Sequence, residues 1–365
     1  MSGLASSSSP RRILLCGYYG EHNLGDDALL EVLNKQLPEG WQPLITGHDA
    51  GAVQTIVPRG SVVNRRSLKA VLNSIKQVQV VILGGGSLLQ DSTSVQSLIY
   101  YILLIVVAQV RRRPVLLWGQ GLGPLRHAWS RYLVGRVLNG ATSITWRDTA
   151  SMQLAKQIGI KTSMSVAPDP VWTHQMGEHQ GGGNIVLCWR PTNLLTASGW
   201  SLLLQSVDQL SKSTGKSVTW LAFHANQDAN LLDTLNKKGL VPHTLAMESN
   251  TVVAENIEHA QTIFKEASFV IAMRLHALIL AIISQCPSAA LSYDPKVEAA
   301  ARTADVPCFG LEQLPSLEVV LTSWSECMTH PPSKRHLQNI REKSYEHERV
   351  LKSTLAKLEA TISLK

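Results

Sequence analysis

The sequence predicts an α/β chain of two Rossmann-like, doubly wound domains facing a cleft. Three observations carry this expectation. Short apolar runs alternate with helical patterns over most of the 365 residues, the arrangement that builds parallel sheets. Several of these runs end directly in glycine-rich or arginine-bearing loops, and ligands of such sheets bind at the carboxyl ends of strands. The alternation breaks at HQMGEHQGGG (174–183) and then starts afresh, as it would across a linker.

Residues 1–11 open with MSGLASSSS, lack the apolar run of a signal peptide, and read as a disordered tail. The first domain is expected over 12–173. RILLC (12–16) is a strand running into a glycine loop. LGDDALLEVLNKQL (24–37) follows with Leu29, Leu30, Leu33 and Leu37 at helical spacing, and Asn23 or Asp26 can cap its start. VQVVIL (78–83) is a buried strand ending in Gly84-Gly85-Gly86. The apolar stretch 95–110 is shorter than the ~20 residues of a membrane span and reads as a buried helix. PVLLW (114–118) and SITW (143–146) are strands, and 149–158 is a helix.

The second domain is expected over 184–330. NIVLCW (184–189), VTWLAF (218–223), FVIAM (269–273) and SAALSY (288–293) are its strands, with helical patterns around 197–212, 227–238, 254–266 and 275–285. The charged stretch 331–365 is helical in pattern and is expected to pack back on the first domain.

Composition narrows the function. With 44% apolar and 17% charged residues the chain is globular. The net charge of +7 suits an anionic small molecule or an anionic membrane surface. No zinc-finger spacing or RNA-binding aromatic signature accompanies it, so nucleic acid is not an expected partner. The five cysteines are odd in number and form no CxxC pair, which argues against a disulfide framework or a zinc site and for a reducing compartment. No metal is expected.

The candidate site residues lie on the loops. In GYYGEHNLGDDALL, Gly17, Gly20 and Gly25 permit close backbone approach, and the helix start offers free N–H groups to an anion. The glycine spacing is not that of a dinucleotide fingerprint. Asn23 and Asp26, on the loop side, are functional candidates, while Asp27 reads more readily as support for the helix start. In GGGSLLQDSTS, Gly84, Gly85 and Gly86 let the chain pass close to a ligand, and Ser87, Gln90, Asp91 and Ser92 supply polar contacts. Gln120, in GQGLGP, either hydrogen-bonds a sugar or holds a structural turn. Arg147 (TWRD) and Arg190 (CWRP) each end a strand with a fork suited to a carboxylate or phosphate, though Arg147 could instead pair with Asp148. The sharpest feature is AMRLHALILA (272–281), where Arg274 and His276 open an apolar helix. Merely buried there, they would be costly. At a ligand site they form an anion clamp beside a group that exchanges protons near neutral pH.

Together, GYYGEHNLGDDALL, GGGSLLQDSTS, GQGLGP, the WRD step and MRLHALILA resemble, in this order, the polysaccharide pyruvyl transferase family, and in overall pattern its CsaB branch. The resemblance runs from about residue 12 to about residue 325. It implies a type B glycosyltransferase-like fold, no metal or other cofactor, phosphoenolpyruvate as donor co-substrate, and a glycan acceptor, often a lipid-linked N-acetylhexosamine of a cell-wall or surface polysaccharide. It further implies that Arg274 and His276 contact the donor, that Leu275 shapes the pocket, and that one of Arg147 and Arg190 helps hold the donor. His276 is then the expected general acid, with Asp26 or Asp91 as base. The expected location is the cytoplasm, with contact at the inner face of the membrane. Two rival readings remain: a type B nucleotide-sugar glycosyltransferase and a non-catalytic anionic-glycan-binding protein.

Overall fold

The computed structural model describes residues 11–92 and 94–363. The expected tail lies outside the described residues except for Arg11, which begins the first strand. The described chain divides into two compact units, each built on one parallel sheet.

The first unit comprises residues up to Glu21, Leu29–Ala167 and Glu346 onward. Its seven strands are β1 (Arg11–Tyr19), β2 (Trp41–Gly47), β3 (Ser61–Asn64), β4 (Val80–Gly84), β5 (Val115–Gln120), β6 (Ser143–Trp146) and β7 (Met164–Val166). They lie in the order β3-β2-β1-β4-β5-β6-β7, all parallel. The order reverses between β1 and β4, which makes their carboxyl ends the switch point of this sheet. β4 (VVILG) and β5 (VLLWGQ) are buried throughout, as continuous apolar runs covered on both faces should be.

The apolar helix Val95–Val110 is part of this core. Leu98, Tyr101, Leu104, Ile105 and Ala108 are buried along one side, while Val95, Ile99 and Val110 are exposed. No helix among the described residues is long and apolar enough to cross a membrane. The last helix, Glu346–Ser363, belongs to the first unit. His347 is fully buried, its Nδ1 2.8 Å from Thr145 Oγ1, and Trp41 Nε1 donates to Glu359 at 2.6 Å. The preceding helix, Lys334–Ser344, belongs to the second unit, where Ser344 Oγ donates to the carbonyls of Pro168 and Asp169.

The second unit comprises His22–Ala28 and Pro168–Tyr345, so it begins ahead of the expected linker at 174–183. Its strands are β8 (Ile185–Cys188), β9 (Val218–Ala222), β10 (Ser249–Val253), β11 (Phe269–Ala272), β12 (Ser288–Ser292) and β13 (Cys308–Gly310). The order β10-β9-β8-β11-β12-β13 is again parallel, with its switch point between β8 and β11. Three indoles pack behind β8. Trp189 lies 5.5 Å from Trp220, edge to face, and 6.1 Å from Trp200. Such pairs contribute about 0.5–1.5 kcal/mol each beyond area burial, and they anchor the chain one residue before Arg190.

The helix expected around 227–238 is two helices, Ala225–Asp228 and Leu231–Lys237. Asp228 turns its carboxylate back to the His224 N–H at 2.9 Å, and the side chain is then committed to the site described next.

Candidate functional site

The residues of the sharpest sequence motif meet at the carboxyl edge of the second sheet. β11 ends at Ala272, and Met273 N–H bonds the Cys188 carbonyl at 3.0 Å, locking the ends of β8 and β11 together. Arg274 follows in extended conformation as the N-cap of helix Leu275–Ile283. Its buried guanidinium grips Asp228, with Nε to Oδ2 at 3.0 Å and Nη2 to Oδ1 at 2.5 Å, and Nη2 also reaches Gln227 Oε1 at 3.0 Å. The Asp228 side chain is only 1% exposed. Arg274 is thereby fixed in one rotamer, and among the described residues Nη1 has no hydrogen-bond acceptor. Leu275 is buried beneath it.

Arg190 leaves the end of β8 beside this pair. Its guanidinium lies 4.6 Å from the centre of the Tyr293 ring, just past β12, and Lys296 Nζ lies 5.7 Å from the same ring. Burial by itself would raise the Tyr293 phenol. Lys296, Arg190 and Arg274 outweigh it and hold the phenol below its ordinary range. The carboxyl ends of β8, β11 and β12 thus gather Arg190, Arg274 and Lys296, of which Arg274 pairs with Asp228 and Lys296 with Asp294 at 3.2 Å.

His276 sits one helical residue further. Its Nε2 is buried 3.5 Å from Asp169 Oδ2, with no hydrogen bond among the described residues. Its Nδ1 lies over Gly25, where an added Cβ would come within 2.3 Å. Gly25 therefore leaves that nitrogen uncovered. The segment carrying Gly25 is fastened to the second unit by main-chain bonds, from Leu24 N–H to the Phe223 carbonyl at 3.2 Å and from Ala225 N–H to the His22 carbonyl at 3.2 Å. Asn23 caps the helix, accepting from Gly25 N–H at 3.2 Å, and its amide donates to Asp26 Oδ2 at 2.5 Å. His224, next to this bridge, is buried with Nδ1 unpartnered among the described residues. Desolvation first, then the Arg274 charge, holds its imidazole below the ordinary value.

The other sequence candidates lie in the first unit, and several serve structure there. Gly17 and Gly84 do not open space for a phosphate. The fully buried Tyr19 ring fills the space above Gly17, and Leu33 and the Tyr19 hydroxyl fill that above Gly84, where the hydroxyl donates to the Gly84 carbonyl at 2.5 Å. Gly85, at φ +70°, packs on Leu29, while Gly86 (φ +76°) completes the turn. Gly20 (φ +68°) packs on the Asp49 backbone. Gln120 is fully buried and donates to the Leu83 and Gly85 carbonyls. It ties the β4 turn together and has no surface to offer a sugar.

Asp91 accepts from Arg126 N–H (2.7 Å), His127 N–H (3.0 Å) and Ser130 Oγ (2.5 Å). Burial would raise its carboxyl, but these donors hold it below the usual range. With its lone pairs engaged it is a poor general base. Gln90 accepts from Ser92 Oγ at 2.5 Å. Arg147 donates to Ser87 Oγ at 2.7 Å, lies 3.8 Å from Asp148 Oδ2, and its side chain is 4% exposed.

Sequence reasoning missed Asp169, Asp228, Gln227, His224, Tyr293 and Lys296. Asp228 and Asp169 are partners acquired across the fold, and each is an isolated acid in its own segment. Tyr293-Asp294-Pro295-Lys296 directly follows a strand and offered the same positional signal as Arg190. Among the described residues no group of three or more His, Cys, Asp or Glu is placed to hold a metal, and the five cysteines are free thiols, four of them buried.

Two Rossmann-like domains place the chain in the architecture of type B glycosyltransferases and sugar-nucleotide epimerases. A structure from Listeria monocytogenes described as a UDP-N-acetylglucosamine 2-epimerase is similar at a TM-score of 0.65 and 10% identity, covering 96% of this chain and 97% of that one. S. aureus MnaA, determined with UDP, is similar at a TM-score of 0.63 and 12% identity, covering 93% and 95%. The UDP-GlcNAc 2-epimerase of Neisseria meningitidis, bound to UDP-GlcNAc, is similar at 0.61 and 10% identity, covering 95% and 100%. At such identities the likeness is one of fold. No curated protein sequence matches the chain significantly. The chain belongs to the polysaccharide pyruvyl transferase family, whose sequence model matches residues 23–295, and the family marks it as a transferase.

Proposed function

We propose that this protein transfers the enolpyruvyl group of phosphoenolpyruvate to two hydroxyls of a glycan, forming a cyclic pyruvate ketal and releasing phosphate. The observation that carries the reading is the arginine–histidine cluster at the second switch point, where Arg190, Arg274 and Lys296 converge beside His276. Phosphoenolpyruvate carries a carboxylate and a phosphate close together, and several fixed cations offset that repulsion. Asp228 and Gln227 hold the Arg274 fork before ligand arrives, so little rotamer entropy is lost on binding. Of the two upstream arginines, Arg190 is the one assigned to the donor, because it shares Tyr293 with Arg274. Arg147 is bound to Ser87 in the first unit.

His276 supplies the proton. With Nε2 turned to Asp169 at 3.5 Å, Nδ1 is the nitrogen left to face a ligand over Gly25. Protonation of the donor at C3 makes C2 electrophilic. One sugar hydroxyl adds at C2, and a second displaces phosphate and closes the ketal, each losing its proton. Asp26, one residue after Gly25 and oriented by Asn23, is the assigned base. No metal or cofactor takes part in this scheme. The acceptor class is a lipid-linked sugar of a surface polysaccharide, as the family suggests.

The test is phosphate release from phosphoenolpyruvate across a panel of lipid-linked sugars. His276→Ala should lower single-turnover release on the order of 10²–10⁴-fold, the usual contribution of general acid catalysis, while donor affinity falls less. Turnover within a few-fold of wild type would remove His276 from the chemistry. A second reading, a nucleotide-sugar enzyme, is favoured by the fold neighbours determined with UDP and with UDP-GlcNAc. Saturable UDP binding without phosphoenolpyruvate binding would select it.

A further inference from the structure

The chain's positive charge is not spread evenly. Between Ser92 and Ala167 there are nine Lys and Arg residues and a single carboxylate, Asp148, whereas the whole chain nets only +7. The stretch lies within the first unit. It contains helix Val95–Val110, the tight turn Arg111-Arg112-Arg113 that leads from that helix to β5, and, after β5, helix Ala128–Leu138. Helix C-termini attract cations, which accounts for part of the arginine run. It does not account for the aromatic residues that accompany it.

On helix Ala128–Leu138, Trp129, Tyr132 and Arg136 fall at positions i, i+3 and i+7, one face of the helix. Trp129 is 40% and Tyr132 70% exposed, and Arg136 is exposed with them. The C-terminal end of the neighbouring helix joins this helix through Gln109, whose amide donates to the Val137 carbonyl at 2.8 Å. Val110, 78% exposed, and the exposed Arg111 and Arg112 directly follow Gln109, and the exposed Arg136 directly precedes Val137, so these residues flank the point where the two helices meet. Arg113 and Arg131 are tied to main-chain carbonyls. Arg147 is buried against Ser87 and Asp148, whereas Arg111, Arg112 and Arg136 are exposed, with no carboxylate partner among the described residues.

Exposed tryptophan and tyrosine beside unpaired arginines is the composition of a surface that rests in a lipid headgroup layer. The rings suit the apolar–polar boundary and the cations suit anionic lipid. We infer that the face formed by Trp129, Tyr132, Arg136, Val110, Arg111 and Arg112 docks the protein on an anionic phospholipid bilayer, as a surface contact rather than a span. Charge complementarity commits the face to this occupant, because it carries no acidic group with which a second copy could pair. The inference rests on surface composition alone, so its failure would leave the donor site as described.

Sedimentation of the full chain with vesicles tests it, comparing phosphatidylcholine alone with phosphatidylcholine and phosphatidylglycerol in equal amounts. Binding is expected only to the anionic vesicles, and it should weaken as salt is raised. Each arginine near such a surface strengthens binding roughly fivefold, so Arg111→Gln, Arg112→Gln and Arg136→Gln together should weaken it on the order of 10²-fold. Trp129→Ser with Tyr132→Ser should weaken it further at equal charge. Unchanged thermal unfolding of these surface variants confirms that the fold is intact. Three results would overturn the inference: no binding to anionic vesicles at low salt, binding that neither set of substitutions reduces, or tighter binding to duplex DNA than to the vesicles. A concentration-dependent dimer abolished by the aromatic substitutions would also overturn it.

Discussion

Helix propensity and packing judge Gly25→Ala in opposite senses, which makes the substitution a test of the His276 environment. Gly25 lies in the first turn of helix Leu24–Gln36, where alanine is ordinarily favoured over glycine by about 1 kcal/mol. The added Cβ would sit 2.3 Å from His276 Nδ1, 3.1 Å from its Cγ and 3.3 Å from its Cβ. A relaxed contact needs about 3.5 Å, so the ring or the helix start must retreat by roughly 1 Å. Overpacking of this kind costs about 1–3 kcal/mol.

The propensity gain is the same with or without the imidazole, so it cancels in a double-mutant cycle with His276→Ala. The coupling should equal the strain, about 1–3 kcal/mol, and in the His276→Ala background Gly25→Ala should become stabilising. Urea unfolding of the four proteins measures this. The wild-type background should also lose turnover on the order of 10²-fold, the effect of misplacing a reacting group by about 1 Å, with donor affinity largely kept. A cycle additive within about 0.5 kcal/mol would refute the placement of Gly25 against His276.

Arg274→Ala strands the Asp228 carboxylate, whose side chain is 1% exposed. It should destabilise the fold by about 3–5 kcal/mol, and adding Asp228→Asn should restore part of that in the same unfolding assay. His224 is held below its ordinary pKa, so the unfolded chain takes up a proton first as the solution is acidified. Stability from this group is complete above about pH 6.5 and is lost as pH falls through it, and His224→Gln should flatten that limb of the stability curve. The Tyr293 phenol, lowered by Lys296, Arg190 and Arg274, should appear in an absorbance titration as one tyrosine ionising early and vanish in Tyr293→Phe. Phosphoenolpyruvate should move it upward, because the anion offsets the same cations, and an unmoved titration at saturating donor would place the ligand elsewhere.

The architecture was legible because the central strands are uninterrupted apolar runs. β4, β8 and β11 are buried on both faces, and each falls where the sequence places a strand. The strands that escaped notice are weaker in pattern. β2 contains Pro43, which interrupts the strand signal, and β10 (SNTVV) is half-exposed at a sheet edge. In the site, Arg274 and His276 stood out because charge beside apolar helix is costly unless used. Asp228 and Asp169 could not be matched to them, since the chain separations of 46 residues for the first pair and over a hundred for the second carry no local signal. The glycines misled in an instructive way. Their spacing announces close approach, but at Gly17 and Gly84 the approaching groups are the chain's own Tyr19 and Leu33.

The path of the chain through its two units sets a limit on dissecting the protein. Residues His22–Ala28 are counted with the second unit, although they interrupt the first between β1 and the remainder of the same helix. A gene divided at codon 168 would therefore yield a C-terminal fragment that keeps Arg190, Asp228, Arg274 and His276 yet lacks Gly25 and the main-chain bonds at Phe223 and Ala225. Neither fragment alone would hold a finished site. Activity recovered on mixing the two would have to come from seven residues of one polypeptide seating themselves in the other, which makes this short segment a natural place to install a split-protein reporter.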